Sequence, residues 1–200
     1  HGGLIGLETY FEEADIENSA DLETLLNAIR EGISRTTSIV SSLNEFSHQQ
    51  DDIQENCDIH RIIDNCLVIL NHLIKNQIII KKDYRATNPK IIGNSGKLHQ
   101  IFINLLTNSL QAVAKGGEVS ISTFIKKDMF TIEISDNGIG IPPEHLTKIM
   151  EPFFTTKSPG KGTGLGLSIA YNFIREHKGN LTISSTCYEG TIATTTLPIS

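Results

Sequence analysis

Residues 132–142 read Ile-Glu-Ile-Ser-Asp-Asn-Gly-Ile-Gly-Ile-Pro, an alternating strand pattern that runs into a turn containing two glycines. Asp136 stands where the predicted strand ends, and one apolar residue separates Gly138 from Gly140. Glycines at that spacing let the backbone approach a flat ligand closely, and a carboxylate beside them can accept a hydrogen bond from an exocyclic amine. Asp-Asn-Gly is also common in tight hairpin turns, so a purely structural role stays open.

The segments on either side of this strand predict a mixed sheet with helices. Strand patterns occur at 78–84, 91–92, 119–125, 130–134, 181–185 and 191–197, and helix patterns at 59–74, 97–114 and 165–177. Asp58 is the predicted N-cap of the first of these helices, and Pro142-Pro143 begins a short helical turn. Helices interleaved with strands that pair as hairpins favour an α+β fold: a two-layer α/β sandwich whose mixed sheet is covered by helices on one face.

Residues 1–55 show helical spacing and no strand-like run. After a break at 15–19, residues four and three apart form a heptad seam: Leu22, Leu26, Ile29, Ile33, Thr36, Val40 and Leu43. Such narrow seams bury little surface within one chain, so the pattern predicts a helical hairpin that dimerises as a four-helix bundle. A hairpin that packs on its own domain is the alternative. The predicted domains are therefore 1–55 and 56–200.

The composition excludes several classes of protein. The 200 residues are 38% hydrophobic and 20% charged, and the formal net charge of −6 argues against a general nucleic-acid binder. Three cysteines without a Cys-x-x-Cys pair are too few for a disulfide framework. No apolar run approaches the roughly 18 residues of a membrane span. We therefore expect a cytoplasmic chain that contacts neither nucleic acid nor membrane.

The helix predicted over 97–114 has an unusual polar face. Its members lie within about 40° of one another on the helix surface, and they are Gln100, Asn104, Asn108, Gln111 and Lys115. Neutral amides offer donors and acceptors together, so this face can hold a cation and phosphate oxygens. Solvated amides on an exposed face are the alternative.

Residues 160–168 read Gly-Lys-Gly-Thr-Gly-Leu-Gly-Leu-Ser and run directly into the next predicted helix. Four glycines in seven positions cost chain entropy, and backbone amides at a helix N-terminus suit phosphate. The segment is not a Walker A loop, because Thr156 and Gly162 stand where that loop needs Gly and then Ser or Thr. Nor is it a dinucleotide fingerprint, because Leu167 takes the place of the third glycine. A flexible hinge is the structural alternative.

Together these segments resemble the nucleotide-binding boxes of the sensor histidine kinases. Residues 104–112 resemble the N box, 136–141 the first glycine box, 151–157 the phenylalanine box and 162–167 the second glycine box. Their order and spacing agree with that family over about residues 56–200. The resemblance implies an ATP-binding α/β sandwich with a mobile lid between the phenylalanine box and the second glycine box.

The resemblance also implies a role for each matched residue. Asn108, supported by Asn104, is expected to hold Mg²⁺ and the phosphates. Asp136 is expected to accept a hydrogen bond from the adenine amine, with room for the ring beside Gly138 and Gly140. The implied ATP-binding set is Asn104, Asn108, Gln111, Ala112, Asp136, Gly138, Gly140, Ile141, Phe154, Thr156, Lys157, Lys161, Gly162, Thr163, Gly164, Leu165, Gly166 and Leu167.

Two positions bear on the reaction. Gln111 stands where the family often has lysine, so one cation for the phosphates is missing. ATPases of the wider superfamily that hydrolyse ATP carry a general-base glutamate where this chain has Asn104, which favours phosphoryl transfer over hydrolysis. A hydrolysing module like those of chaperones or topoisomerases, and a non-catalytic nucleotide-binding dimer scaffold, stay open as alternatives.

The resemblance implies a histidine kinase of a two-component system, which passes a phosphoryl group to an aspartate on the receiver domain of a response regulator. The family's acceptor lies in a His-Glu-x-x-Asn/Thr-Pro pattern. None of the seven histidines matches it: His1, His48, His60, His72, His99, His145 and His177. We therefore expect the phosphoacceptor upstream of residue 1 and assign no nucleophile within the chain.

Overall fold

The computed structural model describes residues 54–74, 78–158 and 162–199, together with Leu26 and Ile29, which are both helical. The described residues fall into two compact units. The smaller contains Leu26, Ile29, 156–158 and 162–163, and the larger contains 54–74, 78–155 and 164–199. The hairpin and dimer predicted for 1–55 lie almost wholly outside the described residues, so they stay predictions.

The larger unit alternates helices and strands. The strands are β1 (Glu55–Asp58), β2 (Ile79–Tyr84), β3 (Lys90–Gly93), β4 (Glu118–Lys126), β5 (Met129–Asp136), β6 (Asn180–Thr186) and β7 (Gly190–Pro198). The helices are α1 (Ile59–Ile69), α2 (Asn71–Ile74), α3 (Ser95–Ala112), α4 (Pro143–Leu146) and α5 (Gly166–Glu176). No helix in the described part of the chain is long and apolar enough to cross a membrane.

Five of the strands form one mixed sheet in the order β2-β4-β5-β7-β6. β2 runs parallel to β4, and the other neighbours are antiparallel. The turn between β4 and β5 is formed by Lys127 and Asp128, which both adopt positive φ. That backbone matches the right-handed twist of the flanking strands. The mixed sheet inferred from the strand patterns is therefore present.

The helices pack against this sheet around one apolar core. Alternate residues of β4 and β5 are buried, among them Val119, Ile121, Ile132 and Ile134, as the period-two patterns predict. α1 begins at the predicted cap, where the Asp58 carboxylate accepts a hydrogen bond from the backbone N–H of Arg61 at 3.0 Å.

The sequence patterns did not indicate β1. It pairs antiparallel with β3 in a separate two-stranded sheet, in register from Glu55 opposite Gly93 to Asp58 opposite Lys90. Its residues, Glu-Asn-Cys-Asp, carry little strand propensity, because three of the four are polar. The backbone of β3 therefore makes this segment a strand, and such pairing cannot be inferred from local sequence.

Candidate functional site

The amide face of α3 forms one wall of the site. Asn94 caps this helix, since its Oδ1 accepts a hydrogen bond from the N–H of Lys97 at 3.0 Å. One side of α3 is buried in the core through Leu98, Ile101, Phe102, Leu105, Leu106, Ser109 and Leu110. On the other side Gln100 and Asn104 are half-buried, and Asn108 and Gln111 are exposed. The predicted division into apolar and amide faces is confirmed.

The predicted extent of this helix was wrong at its C-terminal end. α3 ends at Ala112, and Val113 is extended, with φ −88° and ψ 145°. The Ala112 carbonyl accepts the N–H of Ile139 at 3.1 Å instead of a further helical donor. Lys115 therefore lies in the turn that leads to Gly116, where φ is +83°, and it does not continue the amide face.

Asp136 ends β5 and is 7% exposed. Its Oδ1 accepts the N–H of Gly138 at 3.0 Å, and its carboxylate also accepts hydrogen bonds from the Ser109 hydroxyl and the backbone of Thr191. Burial raises the pKa of Asp136 above its ordinary value, while these three bonds oppose the rise. A carboxylate with fixed donors around it is thus held rigidly at the end of the sheet.

Sequence reasoning missed Ser109 and Thr191. Ser109 is a fully buried hydroxyl on the apolar side of α3, next to Asn108, and it donates to Asp136. A lone hydroxyl among leucines was the available signal, because a buried polar group requires a partner. Thr191 contributes its backbone, so no side-chain pattern marked it.

The two glycines after Asp136 are required by neighbouring parts of the chain. A Cβ on Gly138 would lie 2.6 Å from the carbonyl oxygen of Ala112, so this residue abuts the end of α3. Gly140 has φ +66°, and a Cβ there would overlap the backbone of Thr186. Ile141, half-buried, donates its N–H to Ser185 Oγ at 2.8 Å. The fold alone therefore requires glycine at both positions.

The phenylalanine box meets the residues before α5. Phe153 has φ +68° and donates its N–H to the Gly164 carbonyl at 2.9 Å. Gly164 has φ +70°, and a Cβ there would overlap the Phe153 backbone. Phe154 is half-buried, and its ring contacts the edge of the His145 ring at 5.5 Å between centroids. The positive φ of Phe153 and its hydrogen bond to Gly164 fix the course of the chain into α5.

The N-terminus of α5 lies against Asn104. A Cβ on Gly166 would be 3.3 Å from Asn104 Oδ1, so the first residue of α5 approaches that amide closely. The Asn104 Nδ2 is buried without a hydrogen-bond partner among the described residues. Leu165, the residue before α5, is buried and provides no side-chain cap; Leu167, in the first turn, is half-buried. An uncapped helix N-terminus beside an unpaired amide donor suits an anion.

Several of the residues expected to bind ATP lie in the smaller unit or outside the described residues. Thr156 and Lys157 are exposed, and Gly162 and Thr163 are half-buried, all within the smaller unit. Lys161 lies outside the described residues. That these five residues contribute to an ATP site therefore remains a prediction. The mobile lid that would contain them also remains a prediction.

The described residues offer no preformed metal cluster. No group of three or more His, Cys, Asp or Glu side chains that could hold a cation is found among them. The oxygen donors that α3 presents are amide oxygens. Mg²⁺ keeps several waters and is commonly held by substrate phosphates with few protein ligands, so amides on this face fit an ion that arrives with a nucleotide.

Comparisons with known proteins agree on one family. The family model described as "Histidine kinase-, DNA gyrase B-, and HSP90-like ATPase" matches residues 93–200. Sporulation kinase C of Bacillus subtilis (strain 168) is 33% identical over 181 residues, which are 90% of this chain and 42% of that protein. The chain thus spans about two fifths of that relative.

Solved structures show the same likeness. A mycobacterial sensor histidine kinase, MprB, superposes with a TM-score of 0.66 at 27% identity, over 73% of this chain and 97% of that one. The histidine kinase ThkA, solved in complex with the response regulator TrrA, gives a TM-score of 0.76 over 98% of this chain and 57% of that one. Its identity is 23%, so this second match is a likeness of fold.

Proposed function

Because this chain belongs to the histidine kinase-, DNA gyrase B- and HSP90-like ATPases, and is the catalytic ATPase domain of a sensor histidine kinase, we propose that it binds Mg-ATP and transfers the γ-phosphoryl group to a histidine. The observation that carries the proposal is the position of α3. This helix contacts the buried carboxylate of Asp136 through Ser109 and the start of α5 through Asn104. One helix therefore links a site for the base to a site for phosphates.

The adenine amine is assigned to Asp136. This carboxylate is buried and already accepts three hydrogen bonds, so its position is fixed before ligand binding. A carboxylate has about four lone-pair sites, which leaves one for an exocyclic amine. Because an ionised acceptor in a buried site forms a strong hydrogen bond, this contact selects a base with an amine at that edge.

The phosphates are assigned to the N-terminus of α5 and to the amides of α3. The unpaired Nδ2 of Asn104 is a donor, which fits a phosphate oxygen better than it fits a cation. We therefore place Asn104 on a phosphate and keep the Mg²⁺ role for the amide oxygen of Asn108. Mg²⁺, when bound, neutralises phosphate charge and orients the γ-phosphoryl group.

Transfer is favoured over hydrolysis because an amide cannot act as a general base. Asn104 occupies the position of the base in the hydrolysing members, and it lies beside the first residue of α5. We place the acceptor histidine upstream of residue 1. We further propose that residues 1–55 dimerise and that a receiver domain takes the phosphoryl group onward.

The test is transfer of label from γ-labelled ATP to an added helical hairpin that carries a His-Glu-x-x-Asn-Pro acceptor. We expect the label on the hairpin, in an acid-labile and base-stable bond, only when this 200-residue chain is present. Asp136→Asn should lose the transfer, whereas Glu133→Gln, on the same strand but the opposite face, should keep it. Release of free phosphate faster than any labelling of the hairpin would contradict the proposal.

A further inference from the structure

The start of α3 and the end of α5 are joined by a group of side chains that we call the clasp: Asn94, Lys97, Phe173, Glu176 and His177. The N–H of Asn94 donates to His177 Nε2 at 3.0 Å, and His177 Nδ1 lies 2.7 Å from the Phe173 carbonyl oxygen. Lys97 Nζ forms an ion pair with Glu176 at 2.7 Å and lies 5.7 Å from the centre of the Phe173 ring.

The bonds of His177 define its tautomer. A backbone N–H can only donate, so Nε2 must accept; a backbone carbonyl can only accept, so Nδ1 must carry the proton. The pair of bonds therefore exists only with the neutral ring protonated at Nδ1. Asn94 is also the residue whose side chain caps α3, so His177 binds the backbone at the point where α3 begins.

The His177 ring also fills the space beside the end of β3. A Cβ on Gly93 would lie 2.7 Å from the ring Cδ2 and 2.8 Å from Nε2. The ring is thus seated against the backbone of β3 as well as bonded to the residue after it.

The clasp and the candidate phosphate site lie at opposite ends of α5. Gly166, its first residue, approaches Asn104, which is ten residues along α3 from Asn94. The two helices therefore run antiparallel, and the two contacts are about 15 Å apart along the axis. Because α5 is an unbroken helix, a shift at its last turn moves its first turn by a similar distance.

We propose that His177 is a positioning residue for phosphate binding, which rests on the proposed function. By bonding the Asn94 N–H, it sets the axial position of α5 against α3 and so holds the Gly166 end of α5 beside Asn104. It touches no ligand itself. Its loss should weaken binding of the phosphate tail and leave the contact between the base and Asp136 unchanged.

The experiment compares dissociation constants for ATP and for adenosine in wild type, His177→Phe and His177→Gln. Phenylalanine keeps the ring volume but has no acceptor, whereas glutamine offers an oxygen at the position of Nε2. We expect His177→Phe to weaken ATP binding on the order of 10-fold, because a shift of α5 costs the phosphate tail about one hydrogen bond at Asn104 or at the start of α5, with adenosine affinity unchanged. His177→Gln should recover most of the ATP affinity, and Arg175→Gln, an exposed change on the same turn, should have no effect.

A purely structural role would lower both affinities together, because unfolding removes the whole site. The proposal would be overturned if a folded variant lost affinity for ATP and adenosine equally, so that the ratio of the two dissociation constants did not change. It would also be overturned if His177→Gln did not recover ATP affinity. If His177→Phe does not fold, the same ratio is read in Gly93→Ala, whose new Cβ displaces the ring. Failure of the wild type to bind ATP would instead count against the proposed function.

Discussion

Replacing Asp136 with asparagine tests whether this carboxylate receives the amine of the base. The side chain is 7% exposed, so water competes little for its oxygens. Asparagine keeps the shape but offers one acceptor oxygen to the three donors that the carboxylate now satisfies. Its amide nitrogen would therefore face either one of those donors or the incoming amine, and both arrangements place donor against donor.

The expected magnitude follows from one hydrogen bond to a charged acceptor, which contributes about 1.5–3 kcal/mol. At 1.4 kcal/mol per factor of ten, ATP should bind about 10- to 150-fold more weakly to Asp136→Asn. The same loss should appear when the wild type binds an ATP analogue that lacks the 6-amino group. Removing the amine should then cost the variant almost nothing, because its partner is already absent.

The assay is a double-mutant cycle by isothermal titration calorimetry, with two proteins and two nucleotides. Glu133→Gln is the matched control, since it makes the same chemical change on the opposite face of β5. Thermal melting of each variant separates loss of binding from loss of folding. If the two losses simply add, with a coupling near zero, Asp136 does not contact the amine and its assignment is refuted.

Three further outcomes are expected. Burial lowers the pKa of His60 below its ordinary 6.5. Below about pH 6.5 the unfolded chain therefore binds more protons than the folded one, and the free energy of unfolding should fall as the pH drops. Urea unfolding from pH 8 to 5 should show this fall in the wild type and a smaller one in His60→Gln. Gly138→Ala, whose Cβ would meet the Ala112 carbonyl at 2.6 Å, should lower the free energy of unfolding by about 1–3 kcal/mol, whereas Gly96→Ala, exposed in the first turn of α3, should not. Mg²⁺ titrated without nucleotide should give no binding heat, and with ATP present it should bind more weakly to Asn108→Ala than to the wild type.

Most of the larger unit could be predicted from its sequence, because its elements are periodic. The burial of alternate residues in β4 and β5 and the apolar face of α3 follow directly from spacings of two and of three to four. The predicted cap Asp58 lies at the start of α1, where its carboxylate accepts a hydrogen bond from a backbone N–H group. Such features depend on neighbours within about four residues along the chain.

The rest depends on contacts between residues that are distant in sequence. β1 is a strand because β3 pairs with it, and its own polar residues do not indicate one. The C-terminal end of α3 was predicted two residues too late, because the carbonyl of its last residue is taken by Ile139. Ser109 lies on the core side of α3, but a helical pattern cannot show that Asp136 is the group it meets.

The glycines illustrate how the same residues can point to a ligand and yet serve the fold. Gly138, Gly140 and Gly164 each stand where a side chain would collide with the backbone of another segment. Their presence would therefore be required even in a chain that bound nothing, and glycine content alone is weak support for a nucleotide site. The stronger support comes from polar groups that the fold does not fully use: the remaining acceptor capacity of Asp136 and the buried, unpartnered Nδ2 of Asn104. Because burial of an unpaired donor costs free energy, the fold tolerates it most readily where a ligand supplies the partner.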